Sequence, residues 1–334
     1  MIHLIKNVIP ASIKPKFKMV YLLPNFAKNY LIDMNKYLLY SSTIDRKKSK
    51  DNYEACLMLY SHKIEKGMSF SKTRIGYGKG NVQNLISILE EYTKKYGWND
   101  LAKGCVNTLY AYYFFHQKNG LKMEMLYDKL ELFNSTANQV SSSSSGGIIE
   151  LTKSEIDKSN VNFKDFAYTR YSIRNFGSEE VSLEKIQEAV EIAQKTPSVC
   201  NRQTSRIYVF TDKKSKEEVL KYQNGNAGFG KDASKILIIT SKLENFIGIN
   251  ERNQSFIDGG LYAMSLIYAL HSLGIATCCL NLAVPNNIEK KLKKVASIGE
   301  SENLIMMIAV GSIPEKLNVA ASYRRNATEV MTIC

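Results

Sequence analysis

The stretch TRYSIRNF at 169–176 sets Arg170, Ser172 and Arg174 at every second position, soon after a run built of serine and glycine. On an extended segment, side chains two apart share a side of the backbone, so these three can face one way. A guanidinium fork matches phosphate oxygens, and a serine hydroxyl adds another donor. The triplet therefore reads as an anion site; its plainer alternative is a solvated basic surface ahead of a helix. The surrounding sequence bears on that choice. Upstream, VSSSSSGGIIE at 140–150 has no apolar face to bury and reads as a flexible linker. Downstream, helices and strands alternate.

SLEKIQEAVEIAQKT opens at a serine cap with Glu184 close behind and stops just before Pro197, which predicts a helix. RIYVFTD and KILIITSK are short and rich in β-branched and aromatic residues, so they read as strands. FIDGGLYAMSLIYALHSLG reads as a long buried helix, ATCCLNL and LIMMIAVGSI as strands, and the terminal TEVMTIC as a last short strand. The expectation for 151–334 is an α/β or α+β domain on one sheet. Before the linker the pattern is helical: NYEACLMLYSHKIEKGM, VQNLISILEEYTKKYG and CVNTLYAYYFFHQKNG carry apolar residues at three- and four-residue spacing. Residues 1–139 are thus expected to form a helical N-terminal domain, joined by 140–150 to the second domain.

Composition narrows the class. With 334 residues the chain exceeds the usual single core, and 44% hydrophobic with 23% charged residues is globular. The net charge of +13 would suit nucleic acid, but no helix of clustered Lys/Arg and no zinc or RNA-binding signature accompanies it, so most of it is expected to be solvated surface. Six cysteines lack CxxC spacing, and nothing resembles a signal peptide, so the expected compartment is the cytoplasm, with no metal site. No apolar stretch is long enough to predict a membrane span.

A second polar set follows the helix in TPSVCNRQTSRIYVF, where Pro197, Ser198, Asn201 and Gln203 precede a strand. Amide side chains both donate and accept, which suits the edge of a heteroaromatic ring, although a loop satisfying its own turn is an equal reading. RYSIRNF followed by a helix and PSVCNRQ resembles the nitroreductase family of flavin-dependent oxidoreductases, whose pattern is Arg-x-Ser-x-Arg-x-Phe, then Pro-Ser-x-x-Asn-x-Gln-Pro. DGGLYAMSLIYALHSLGIATC, VGSIPE and YRRNATEV are similar to that family's central helix, late strand and C-terminal basic element, so the resemblance covers about 165–334.

The resemblance implies a mainly antiparallel sheet flanked by helices, an α+β FMN-binding fold, and a homodimer with shared flavin sites. Arg170, Ser172 and Arg174 match the family's phosphate and ribityl contacts, and Arg325 matches a late basic residue on the same phosphate. Pro197, Ser198, Asn201 and Gln203 match the loop that reaches the flavin across the dimer interface. Asn226 matches an amide on the pyrimidine edge, and Asn281 and Leu282 the backbone approaching flavin N5. Thr204 and Ser205 replace the usual proline and aromatic, making the neighbouring surface more polar, and Phe229 replaces a basic residue of some members.

The implied chemistry is ping-pong hydride transfer from NAD(P)H through FMN to a small-molecule electron acceptor of nitro, quinone or enone type. Flavin N5 carries the hydride, so no catalytic side chain is expected. Two alternatives stand beside it: a flavin-dependent dehydrogenase or oxygen-using biosynthetic enzyme, and a non-catalytic flavin-binding or assembly protein. His271 on an apolar helix reads as a core or interface residue, and adjacent Cys278 and Cys279 as buried thiols facing opposite ways. In the N-terminal region, SHKIEKGMSFSKTRIGYGKGN gathers His62, Glu65, Lys66 and Arg74 among four glycines without a phosphate-loop ending. It reads first as a turn between helices. Second, the helical domain would cover the flavin pocket through His62 and Glu65.

Overall fold

A computed structural model describes residues 14–70, 73–137, 146–149, 162–320 and 326–334. Among them the order is α1 (Lys14–Tyr40), α2 (Lys50–Met68), α3 (Lys79–Tyr96), α4 (Asp100–Lys118), α5 (Glu124–Thr136), α6 (Phe163–Tyr168), α7 (Leu183–Ala193), β1 (Ser205–Phe210) and α8 (Lys213–Leu220). Then come β2 (Lys235–Lys242), α9 (Gln254–Ser272), β3 (Ile275–Leu280), α10 (Asn286–Val295), β4 (Glu302–Ser312) and α11 (Ala327–Val330).

Helices α2 to α5 share one core. Ser49 caps α2 by accepting from the Asn52 N–H, while Asn52 Oδ1 accepts from the Ser49 N–H at 3.1 Å, a reciprocal box that fixes the helix start. From there Tyr53, Cys56, Leu57, Ile64 and Met68 pack against Leu85, Leu89 and Tyr92 of α3 and Val106 and Leu109 of α4. The basic segment after α2 is a turn between helices. Gly67, in the last turn of α2, lets the segment fold back, because a Cβ would sit 1.9 Å from the Tyr77 ring. Glu65 fastens the linker: its carboxylate accepts from Thr108 Oγ1 at 2.9 Å and the Gly147 N–H at 3.1 Å. Gly146, at φ +92°, lies so close to α4 that a Cβ would stand 2.2 Å from the Gly104 carbonyl. Gly146 and Gly147 of the serine–glycine run are therefore docked on α2 and α4, while Ile148 and Ile149 are exposed.

The second unit is α+β. Its sheet runs β1-β2-β4-β3, antiparallel throughout. β2 reads as a continuous apolar run because both of its faces are covered. Leu237 and Ile239 join the core beneath α7 and α9, while Ile236 and Ile238 join the core beneath α8 and α10. Each of these four is fully buried, a contribution of about 1.5–3 kcal/mol apiece.

Two expectations change, and one element went unread. TEVMTIC is not a strand: Asn326 and Glu329 form a capping box that starts the one-turn α11, and the rest is irregular. α7 ends at Ala193, short of Pro197. α1, unread in the sequence, is a long helix containing Pro24 that rests on the sheet unit, with Tyr37 packed on Leu243 and Phe246. There Asn29 accepts from Asn286, and Lys36 Nζ donates to the Glu302 carbonyl at 2.9 Å. Val20, Leu23, Phe26, Tyr30 and Met34 are exposed.

Candidate flavin site in two halves

The first half begins at α6, whose end is tied to α9. Thr169 Oγ1 lies 3.1 Å from His271 Nε2, and the Phe166 and His271 rings are 4.9 Å apart. His271 is thus a packing residue; burial lowers its pKa, a Phe166 backbone hydrogen bond opposes this, and the Arg170 charge adds to the lowering. The chain then extends along the free edge of β3. Ser172 bridges Thr277 in parallel register, and the Ile173 N–H donates to the Thr277 carbonyl at 2.9 Å. Ile173 is buried while Ser172 and Arg174 flank it outside. Phe176 anchors the strip by occupying the space over Gly311, where a Cβ would lie 2.6 Å from its ring.

Along this strip Arg170 and Arg174 have no carboxylate within ion-pair distance among the described residues. The Arg174 guanidinium lies 6.0 Å from the centroid of the Phe229 ring, so this buried aromatic is a platform beneath it. The 223–229 loop closes the same end of β3, where Gln223 Nε2 donates to the Asn281 carbonyl at 3.1 Å. Asn226 spends its amide hydrogens inside that loop, on the Leu220 and Gln223 carbonyls, leaving its Oδ1 as the polar atom on offer. Asn281 Oδ1 accepts from the Ala283 N–H at 3.3 Å, and Leu282 packs against the core beneath α8 and α10. Arg325 lies outside the described residues.

The second half is at the other edge of the sheet. Pro197, Ser198, Asn201 and Gln203 lie on the loop entering β1, three strand spacings from β3, or roughly 14 Å. Cys200, Asn201 and Gln203 have φ of 50°, 51° and 49°, three of the four positive-φ non-glycine residues among those described. Asparagine tolerates that region; cysteine and glutamine adopt it at a cost of about 1–3 kcal/mol each. The surroundings impose it. Ser198 Oγ accepts from the Gln203 N–H at 2.9 Å, and Asp258 of α9 accepts from the Val199 N–H at 3.2 Å. The bent loop leaves Asn201 and Gln203 exposed.

Beneath the loop is Arg202, which sequence reasoning passed over. It is fully buried and bidentate to Glu251, at 2.9 and 2.6 Å, while its Nε donates to the Val199 carbonyl at 3.0 Å. Burial alone would raise the Glu251 pKa, but hydrogen bonds from Arg202 and the Ile247 N–H, with the Arg202 charge, outweigh it and hold the carboxyl below its usual range. Asn245 Nδ2 completes the arrangement by donating to the Arg202 carbonyl at 2.8 Å. No signal in the loop itself announces this pair, because Glu251 is 49 residues away in sequence. Thr204, expected to add surface polarity, is buried and accepts from Ser241 Oγ at 2.9 Å.

The helical unit rests on the same place. α2 packs on the Val199–Asn201 turn and on Leu243–Asn245, with Asp51 paired to Lys242 at 2.8 Å and Ser42 Oγ donating to the Glu244 carbonyl at 2.7 Å. Glu65 instead holds Gly147, accepting from its N–H at 3.1 Å. No group of three or more His, Cys, Asp or Glu suited to a metal exists among the described residues, and no described helix is long and apolar enough to cross a membrane.

Residues 167–227, which carry most of both halves, match the nitroreductase family model. Solved structures with similar coordinates include a nitroreductase family protein from Streptococcus pneumoniae TIGR4, 21% identical, covering 52% of this chain and 100% of its own, with a TM-score of 0.44. An FMN-dependent nitroreductase from Clostridium difficile R20291 is 20% identical over 49% of this chain and 92% of its own, with a TM-score of 0.41. A BluB-like flavoprotein from Clostridium difficile 630 is 19% identical over 52% and 100%, with a TM-score of 0.44. No curated protein matches the chain. The matched segment runs from α6 past β1 and α8 within the α+β unit, which additional helices precede.

Proposed function

We propose that this chain is an FMN-dependent NAD(P)H oxidoreductase that acts as a homodimer, each flavin site joining the strip of one copy to the loop of the other. One observation carries the reading: the polar residues expected around a flavin fall on opposite edges of one sheet. Arg174, Asn201 and Gln203 are exposed and Arg170, Ser172 and Ser198 partly so, where a second copy could complete each set. The residues fit the group. Arg170 and Arg174 are cations without a carboxylate partner among the described residues, Ser172 stands between them, and Phe229 offers a flat base.

Bound FMN would supply the hydride chemistry, accepting from NAD(P)H and passing the pair to an organic acceptor of nitro, quinone or enone type. The strip's role is anion binding: two guanidiniums and a hydroxyl hold a phosphate by charge-assisted hydrogen bonds. The loop's role is orientation. Asn201 and Gln203 present amides on a backbone that cannot relax, so their donors meet developing negative charge without reorganisation. The 1–139 helices form a separate domain that braces the loop from behind through α2.

The visible spectrum of the purified protein tests this before and after anaerobic addition of NADH or NADPH. Flavin absorbance that bleaches with either donor supports the reading and names the donor. A protein that takes up no added FMN refutes it.

A further inference from the structure

Between α2 and the 197–203 loop lies a cleft of about 250 Å³, with Asp51, Glu54, Met58 and Leu101 on the helical wall and Arg206 and Asn245 opposite. Most of its charges are already matched. Asp51 pairs with Lys242 at 2.8 Å, Glu54 with Lys50 at 3.8 Å, and the buried Arg202 with Glu251 at 2.6 Å. Arg206 is the exception. Its Nη1 donates to the Gln203 and Ser205 carbonyls at 3.0 and 2.7 Å, which aims the group, but no carboxylate stands within ion-pair distance among the described residues. Independently, Asn245 is 3% exposed and its Oδ1 has no hydrogen-bond partner. A buried amide oxygen without a donor is uncommon and asks for one.

We propose that this cleft binds a small organic anion that also carries an O–H or N–H donor. The anionic group would meet Arg206, the donor Asn245 Oδ1, and the apolar body Met58 and Leu101. A net charge of +13 favours approach of such a molecule. The cleft shares Gln203 with the loop, so on the oxidoreductase reading its occupant is the electron acceptor, selected by the wall that the helical unit supplies.

The test uses the full chain and three nitroaromatic probes, 3-hydroxy-5-nitrobenzoate, 3-nitrobenzoate and 3-nitrobenzylamine, titrated calorimetrically with and without saturating FMN. Both carboxylates should bind about tenfold more tightly than the amine, and Arg206→Gln should abolish that preference. The hydroxyl should add about threefold, a gain lost in Asn245→Leu. Equal affinity for the three probes, or a preference untouched by Arg206→Gln, overturns the assignment. So does loss of benzoate binding once FMN saturates the protein, since the anion would then be the cofactor's phosphate. If FMN is not taken up but the Arg206-dependent preference persists, the cleft stands and the oxidoreductase reading falls. If NADH bleaches bound FMN while the preference is absent, the reverse holds.

Discussion

The two edges of the sheet treat their polar residues in opposite ways. At the β1 edge, Arg202 is locked by Glu251, its neighbours are held at positive φ, and Asp258, Asn245 and Ser198 each fasten one backbone group. At the β3 edge, Arg170 and Arg174 extend from a strip pinned by one parallel bridge and a phenylalanine, without carboxylate partners among the described residues. A group that must orient a ring gains from being built in advance, because no binding energy is then spent on arranging it. A group that neutralises charge works from a looser tether.

The largest effect should come from separating the halves genetically. Arg170→Ala/Arg174→Ala and Asn201→Ala/Gln203→Ala proteins should each be inactive, yet an equimolar mixture of refolded chains should regain about a quarter of normal turnover, from the one intact site in each mixed dimer. Two inactive proteins that stay inactive when mixed would place both halves of the site in one copy.

Glu251→Ala should come next, because it strands a buried guanidinium. A loss of about 3–5 kcal/mol in urea unfolding is expected. A change under about 1 kcal/mol would mean that the loop is not held by this pair.

Arg174→Ala removes an unfastened group and should leave folding almost unchanged while weakening FMN by about 1.5–3 kcal/mol, read by flavin fluorescence titration. If it unfolds the protein instead, the contrast between the edges is false.

The smallest effect concerns the contact of α1 with β4. Burial, and then the neighbouring Lys293, lower the Lys36 pKa to about 8, with Glu289 opposing them. Between that value and the unfolded lysine's, the unfolded chain binds the extra proton, so this group's contribution to stability should rise as pH climbs from 8 towards 10.5. Lys36→Met should flatten that rise in urea midpoints; an unaltered slope would remove Lys36 from the account.

Much of the sheet unit was legible because its signals are local. KILIITSK, RIYVFTD and the serine-capped α7 each carry their own periodicity or cap, and the strip and loop sit in short motifs. What escaped depends on partners far along the chain. Arg202 looks like one more polar loop residue until Glu251 is placed beside it. α1 hides because it contains a proline and leaves large apolar residues such as Phe26 and Tyr30 exposed, so no single apolar stripe marks its buried side. α10 could have been found from Ile288 and Leu292 four apart among lysines.

The bent loop also bears on which substitutions the protein can tolerate over time. Glycine at position 200 or 203 would relieve backbone strain, so Cys200→Gly or Gln203→Gly could be accepted by the fold, or even favoured, at the expense of a rigid presentation. A lineage selected only for persistence would drift towards glycine here, and one that keeps bulky side chains in this conformation discloses selection for something other than stability.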